Sequence, residues 1–261
     1  MKNMNQPKIS IKCHLLTFHT EGSPFDNGTN MIKTAKDFSK LATPHFDSHI
    51  QYTPRICTER FLNSSKYFKD YSNWLNNHPL KKQLKNYNQS WVKLGFQSWK
   101  ALIIKKTLES PQLNHGDILF YHDSDIKKYP KYGLYIHEWK STAIQILNKI
   151  CCDVFAPAGN PLYKDVKAYA IRKHLKRYSQ FKIGLWNGLI IIKKSKTSLK
   201  FFNEYLDLCG NKDIISPLPN PNPYPGHIWH SPDQAVFSIV ANKWKENRDL
   251  PKNWAFIFRR R

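Results

Sequence analysis

The sequence predicts one α/β domain with a mixed, mostly parallel central sheet flanked by helices. Three observations carry this expectation. First, residues 9–52 read strand, helix, strand. Ile9 to Leu16 alternates and then turns apolar. Met31, Ile32, Ala35, Phe38, Leu41 and Ala42 recur at helical spacing, and His49 to Tyr52 is short and β-prone. That is a βαβ opening. Second, Ile118-Leu119-Phe120-Tyr121 and Leu189-Ile190-Ile191-Ile192 are continuously apolar, as strands covered on both faces are. Third, helical patterns separate the strand-like runs, so crossovers on both faces are expected.

The remaining elements follow in order. Thr58 to Gln89 is rich in Asn, Lys and aromatic residues and breaks at His78-Pro79, which leaves it unassigned. Ala101 to Leu108 reads as an amphipathic helix stopped by Pro111. His137 to Ile150 is helical, and Asp153 to Ala156 is a strand closed by Pro157 and Gly159. Lys164 to Lys176 reads as one basic helix, and Ser195 to Cys209 places Leu199, Phe202, Leu206 and Cys209 on one face. Ile215 to Trp229 is a Pro- and Asn-rich loop, longer than a simple connection needs. Ser231 to Trp244 is the last helix. The single domain spans 1–261, with 1–8 and about 246–261 as peripheral tails.

Composition narrows the function classes. Forty-one Lys and Arg face 19 Asp and Glu, a formal charge of +22, while 14% of residues are aromatic. The aromatic and apolar content describes a folded chain. The field attracts a polyanion, an anionic membrane or a nucleotide diphosphate. The basic residues are spread along the chain, and no helix-turn-helix, RRM, KH or zinc pattern occurs, so nucleic acid is the weaker reading. The five cysteines are odd in number and none is spaced C-x-x-C, which points to reduced thiols rather than a disulfide framework. No signal-peptide pattern and no apolar run of membrane-spanning length is present, so a cytoplasmic chain is expected, with peripheral contact to an anionic membrane suggested by charge alone.

The stretch with the most chemistry is Gly116 to Asp125, GDILFYHDSD. A buried strand ends there in Asp123 and Asp125, and ligands of open α/β sheets sit at the carboxyl ends of strands. Two carboxylates one residue apart can hold a hard divalent cation, which in turn holds a diphosphate. The plainer reading makes them turn residues. Asn187-Gly188 precedes the Leu189 strand, as a turn or as a site. Ser231-Pro232-Asp233-Gln234 has the form of a capping box with Pro at the first helical position. That accounts for Asp233 and Gln234 without catalysis, and the two readings can coexist.

Four segments in this order, LGFQSWKALII, HGDILFYHDSD, LWNGLIII and HSPDQAVFSIV, resemble a bacterial and viral group of glycosyltransferases of the GT-A fold. The opening LLTFHTEG is similar as well, and the resemblance covers about residues 9–245. It implies a GT-A-like domain that moves a sugar from a nucleotide donor, a uridine diphosphate sugar above all, to a hydroxyl of a glycan or lipid-linked acceptor. It implies Mn²⁺ or Mg²⁺ at Asp123 and Asp125. Asn187 and Gly188 would lie against the donor sugar, and Thr17 and Phe18 near the nucleobase. Asp233 and Gln234 would reach the anomeric centre and the acceptor, with Asp233 as general base in an inverting enzyme. Trp99-Lys100 matches the group's Trp-Lys. Ala101 stands where the group has Pro, and no His follows Gln234, so His230 or His227 would supply the third metal ligand. A catalytically inactive GT-A-like protein that binds sugars or partners is the alternative.

Overall fold

The computed structural model describes residues 10–19, 31–53, 56, 77, 98–124, 136–150, 153–176, 179–216 and 222–246. The expectations for Thr58 to Gln89 and for both tails lie wholly or mostly outside these residues. Strands β1 (Cys13–Phe18), β2 (Ser48–Tyr52), β3 (Ile118–His122), β4 (Val154–Phe155) and β7 (Leu189–Lys193) form a five-stranded sheet in the order β2-β1-β3-β7-β4. β1 runs parallel to β2 and to β3, whereas β7 is antiparallel to both β3 and β4. Only β7 is therefore reversed, and the mixed, mostly parallel sheet agrees with the pattern of the sequence. β5 (Ala158–Pro161) and β6 (Ile183–Leu185) pair separately, an antiparallel ribbon too short and too Gly- and Pro-rich to read from periodicity.

Helices cover both faces. On one lie α1 (Met31–Ala42) and α3 (Trp139–Ile150), on the other α2 (Trp99–Glu109), α6 (Lys196–Cys209) and α8 (Pro232–Glu246). Alternation along β3 divides its side chains between these layers. The Phe120 ring stacks on Trp139 at 6.2 Å and the His122 ring on Phe38 at 5.0 Å. Tyr121, between them, faces the Lys100 ammonium of α2 at 5.3 Å. Every residue of β3 is buried, which explains its unbroken apolar run.

α2 keeps a solvated edge at Lys105, Lys106 and Glu109, but Trp99 through Ile104 are all buried, Lys100 included, and α6 packs against it. One helix expectation changes. The basic helix over Lys164 to Lys176 is two short helices, α4 (Leu162–Asp165) and α5 (Ala168–His174), separated at the extended Val166 and Lys167. Their charge pattern is continuous, but the Lys164 and Asp165 carbonyls accept from the N–H groups of Ile228, Trp229 and Ser231 instead of continuing a helix, and Val166 between the two helices is extended and buried. α7 (Lys212–Ile215) follows α6, whose start is capped by Ser195 and Ser198 in a reciprocal box.

Substitution of Phe120 by Ala removes a fully buried ring between Trp139 and Phe46. We expect a loss of about 3–5 kcal/mol, read as a lower urea midpoint with an unchanged slope.

Candidate functional site

Reversal of β7 builds the site. β3 and β7 pair with His122 opposite Leu189, so the residues just beyond them, Asp123 and Gly188, meet at the same end of the sheet. The Asp123 N–H donates to the Gly188 carbonyl at 3.0 Å. A side chain at Gly188 would overlap the Trp186 ring, 2.2 Å from where a Cβ would stand, and Asp123 Oδ2, at 2.9 Å. Only glycine permits this approach. Ser124 follows at φ 60, a left-handed backbone uncommon for a residue with a Cβ. It is held there by its N–H on His122 Nδ1 (3.0 Å) and its hydroxyl on the Phe18 carbonyl (3.2 Å). The site lies beyond the carboxyl ends of β1 and β3. Chain order reverses direction across the sheet there, and open α/β sheets place their ligands at that point.

A lysine joins the segments. Lys100, in the first turn of α2, reaches Asp233 Oδ2 at 2.8 Å and Asp123 Oδ1 at 3.1 Å. It also donates to Asn187, at 3.3 Å to Oδ1 and 3.4 Å to the carbonyl. Asn187 Nδ2 donates to the same Asp233 Oδ2 at 2.7 Å. Tyr121 donates to Asp123 Oδ1 at 2.6 Å, and Tyr205 donates to the Asp233 carbonyl at 3.1 Å. Burial opposes the Lys100 charge, but Asp123 and Asp233 together outweigh it and hold its pKa above the ordinary value. Burial, reinforced by Asp123, pushes the Tyr121 phenol well above its usual range, so it remains a donor. Two carboxylates and one ammonium leave this cluster with a net negative charge inside a chain of formal charge +22.

The expected site residues separate into groups. Asp123, Asn187, Gly188 and Asp233 come together. Asp123 keeps 25% of its side chain exposed, whereas Asp233 keeps 2%. Gln234, next along α8, is half-buried. Thr17 and Phe18 end β1 beside Ser124 but are buried. Thr17 Oγ1 lies 2.8 Å from His49 Nε2, and Phe18 stacks on Trp99 at 3.6 Å. Asp125 lies outside the described residues.

His230 does not fit a metal-ligand role. Its Nδ1 accepts from the Lys167 N–H at 3.3 Å and its Nε2 donates to the Ile214 carbonyl at 2.6 Å, so both ring nitrogens serve the backbone. His227, the alternative third ligand, has Nδ1 3.0 Å from the Tyr163 carbonyl. Among the described residues no three His, Cys, Asp or Glu side chains cluster as a metal set. What they offer a cation is carboxylate oxygen at Asp123, the donor chemistry of a hard ion. Lys100, Tyr121 and Tyr205 were not predicted as site residues. A signal existed for the first: a lysine inside the apolar run Trp99 to Ile104 needs an anionic partner if the helix is buried.

Comparison of the chain with protein families, curated proteins and solved structures yields no match.

Two outcomes are expected. Lys100→Met strands the buried Asp233 carboxylate and should cost about 3–5 kcal/mol. The double variant Lys100→Met/Asp233→Asn should recover part of that in a double-mutant cycle by urea unfolding. Burial, with Lys167 nearby, lowers the His230 pKa from 6.5 to about 3. The native ring therefore stays neutral while the unfolded chain takes up a proton below pH 6.5. The stability it contributes is complete above that pH and falls as pH drops toward 3, by at most about 1.4 kcal/mol per pH unit. Unfolding free energies at pH 7, 5 and 4 should show a shallower decline in His230→Gln.

Proposed function

We propose that the chain is a glycosyltransferase of GT-A type that uses a nucleotide-diphosphate sugar, with a divalent cation at Asp123 and Asp125. The observation that carries this reading is the Lys100 network. It draws Asp123, Asn187 and Asp233 from three separate segments to one end of the sheet. Turn and capping roles alone do not require these residues to meet. The sheet order and the single reversed strand are compatible with the proposed fold.

In this reading Asp123, the partly exposed carboxylate, faces the donor diphosphate. A divalent cation bound there would offset charge on the departing phosphate. Asn187 and Asp233 are held rigidly by Lys100 and Tyr205, and their fixed dipole and charge favour positive character at the anomeric carbon. Asp233 is buried within this network, and Gln234, the half-buried next residue of α8, keeps the sugar-contacting role that the resemblance implies. The acceptor is a glycan or lipid-linked hydroxyl. The burial of Asp233 also favours a second reading, a GT-A-like protein that binds a nucleotide sugar without turning it over.

Calorimetric titration with UDP, GDP and CDP, with and without Mn²⁺, tests the proposal. We expect one nucleotide to bind only with metal, and Asp123→Ala or Asp125→Ala to weaken it at least about tenfold, the loss of one charge-assisted contact. Absence of binding to all three would end this reading. Binding without release of sugar from the matching donor, to water or acceptor, would select the second.

A further inference from the structure

Large apolar side chains stand exposed on one face of the molecule. Among the described residues, Phe181 is 67% exposed, Ile228 66%, Trp229 54% and Ile183 43%. Isolated exposed side chains are ordinary, but a contiguous group of them is not. Backbone contacts join these four. The N–H groups of Ile228 and Trp229 both donate to the Lys164 carbonyl in α4, at 3.0 and 3.3 Å. The ring of Tyr163, the preceding residue, lies 6.3 Å from that of Phe181. Leu162 donates to the Lys182 carbonyl at 2.8 Å, and Ile183 pairs with Pro161 in the small ribbon. Tyr169, Arg172 and Lys173 extend the surface along α5, where Arg172 lies over the Tyr224 ring at 5.0 Å.

The charge of this face is mostly basic. Among the described residues Lys164, Arg172, Lys173, Lys176 and Lys182 reach the surface and residues 222–231 contain no acid, while the exposed Asp213 lies near Lys173. Asp165 is buried and bonded to Asn160, so it does not offset the surface. Arg172 and Lys173 are exposed, and Lys164 is half-buried.

We infer that this face, with Phe181, Ile228 and Trp229 at its tip and Lys164, Arg172 and Lys173 around them, docks on an anionic membrane surface. Aromatic residues favour the headgroup boundary, and aliphatic side chains enter the acyl edge. Basic residues around them gain from anionic headgroups within a Debye length. A protein partner would be expected to meet mixed charge around an apolar centre. Here the surround is predominantly basic, and Ile228 and Trp229 stand on a loop outside any helix or strand. A nucleic acid would find aromatic rings but no use for Ile183 and Ile228. The face leads directly into α8: Trp229 precedes Asp233 by four residues, and the Ser231 N–H is fixed to the Asp165 carbonyl at 3.2 Å. Docking there would set the Asp123–Asp233 cluster close to the bilayer. The inference does not depend on the proposed activity.

Vesicle co-sedimentation of the full chain tests it, with phosphatidylcholine vesicles and with vesicles containing phosphatidylglycerol, at low and high salt. The native chain should prefer the anionic vesicles, and the preference should weaken with salt. Ile228→Ser/Trp229→Ser should reduce partitioning by about tenfold or more, as expected for two apolar side chains kept out of the interface. Leu41→Ser, an exposed apolar change on α1, should not. Brominated lipid should quench native fluorescence more than that of Trp229→Phe. Far-UV circular dichroism and thermal melting confirm that each variant folds. Absence of anionic preference would overturn the proposal, as would equal partitioning of the double variant and native chain. So would a vesicle-free dimer lost in the double variant, which would assign the face to a second copy. A failed nucleotide titration leaves all these outcomes readable.

Discussion

The buried ammonium of Lys100 is the constraint on which the arrangement of the site depends. Removing such a charge from water costs several kcal/mol, and only close, well-directed partners repay it. Asp233 and Asp123 supply the charge, and Asn187 supplies the remaining acceptors. Each partner belongs to a different element. The first turns of α2 and α8, the end of β3 and the turn before β7 must all be in register before the lysine is satisfied. A fold that misplaced any of them would bury an unpaired charge. The interaction thus penalises alternatives more than it stabilises the native state.

The sheet meets that requirement through one reversed strand. If β7 ran parallel to β3, Asn187 and Gly188 would emerge at the opposite end, a strand length from Asp123. Antiparallel pairing instead puts Gly188 against Asp123, with no side chain to hold them apart. The left-handed Ser124 then turns the backbone after Asp123, at a cost of about 1–2 kcal/mol for a residue with a Cβ. Its two hydrogen bonds hold that turn against β1 and β3. Backbone strain concentrated beside an exposed carboxylate is where functional geometry is commonly found.

Much of the fold was legible in the sequence because burial on both faces leaves a direct trace. The unbroken apolar runs of β3 and β7, and the period of α1, each reported their surroundings. Motif spacing brought out Asp123, Asn187 and Asp233 separately. That they meet was implied only by the family resemblance; residue pattern alone did not show it, since it depends on strand direction, which hydrophobic pattern does not encode. Lys100 illustrates the limit. In a helix that keeps a solvated edge a lysine is unremarked, and it becomes informative only once its burial beside Asp123 and Asp233 is seen. His230 illustrates the reverse. The resemblance calls for a late His ligand, and none after Gln234 left His230 or His227 for it, but the chain carries the His230 ring toward Ile214 and Lys167. Val166 likewise divides a stretch that charge alone reads as one helix.

The contrast between exterior and site bears on which ligand the proposed activity requires. The strongly basic exterior raises the local concentration of anions at long range, within the limits set by screening. Near the Lys100 cluster the sign changes, because two carboxylates outnumber one ammonium that is itself buried. A bare diphosphate drawn in by the exterior would meet the partly exposed Asp123 carboxylate at close range, where repulsion is least screened. A diphosphate that carries its own divalent cation reverses that interaction, since the carboxylate oxygen becomes a ligand. The same residual charge suits a sugar carbon that gains positive character as its phosphate departs. Under the proposed activity, attraction of the metal-bound nucleotide and rejection of the free one would be two consequences of a single charge imbalance.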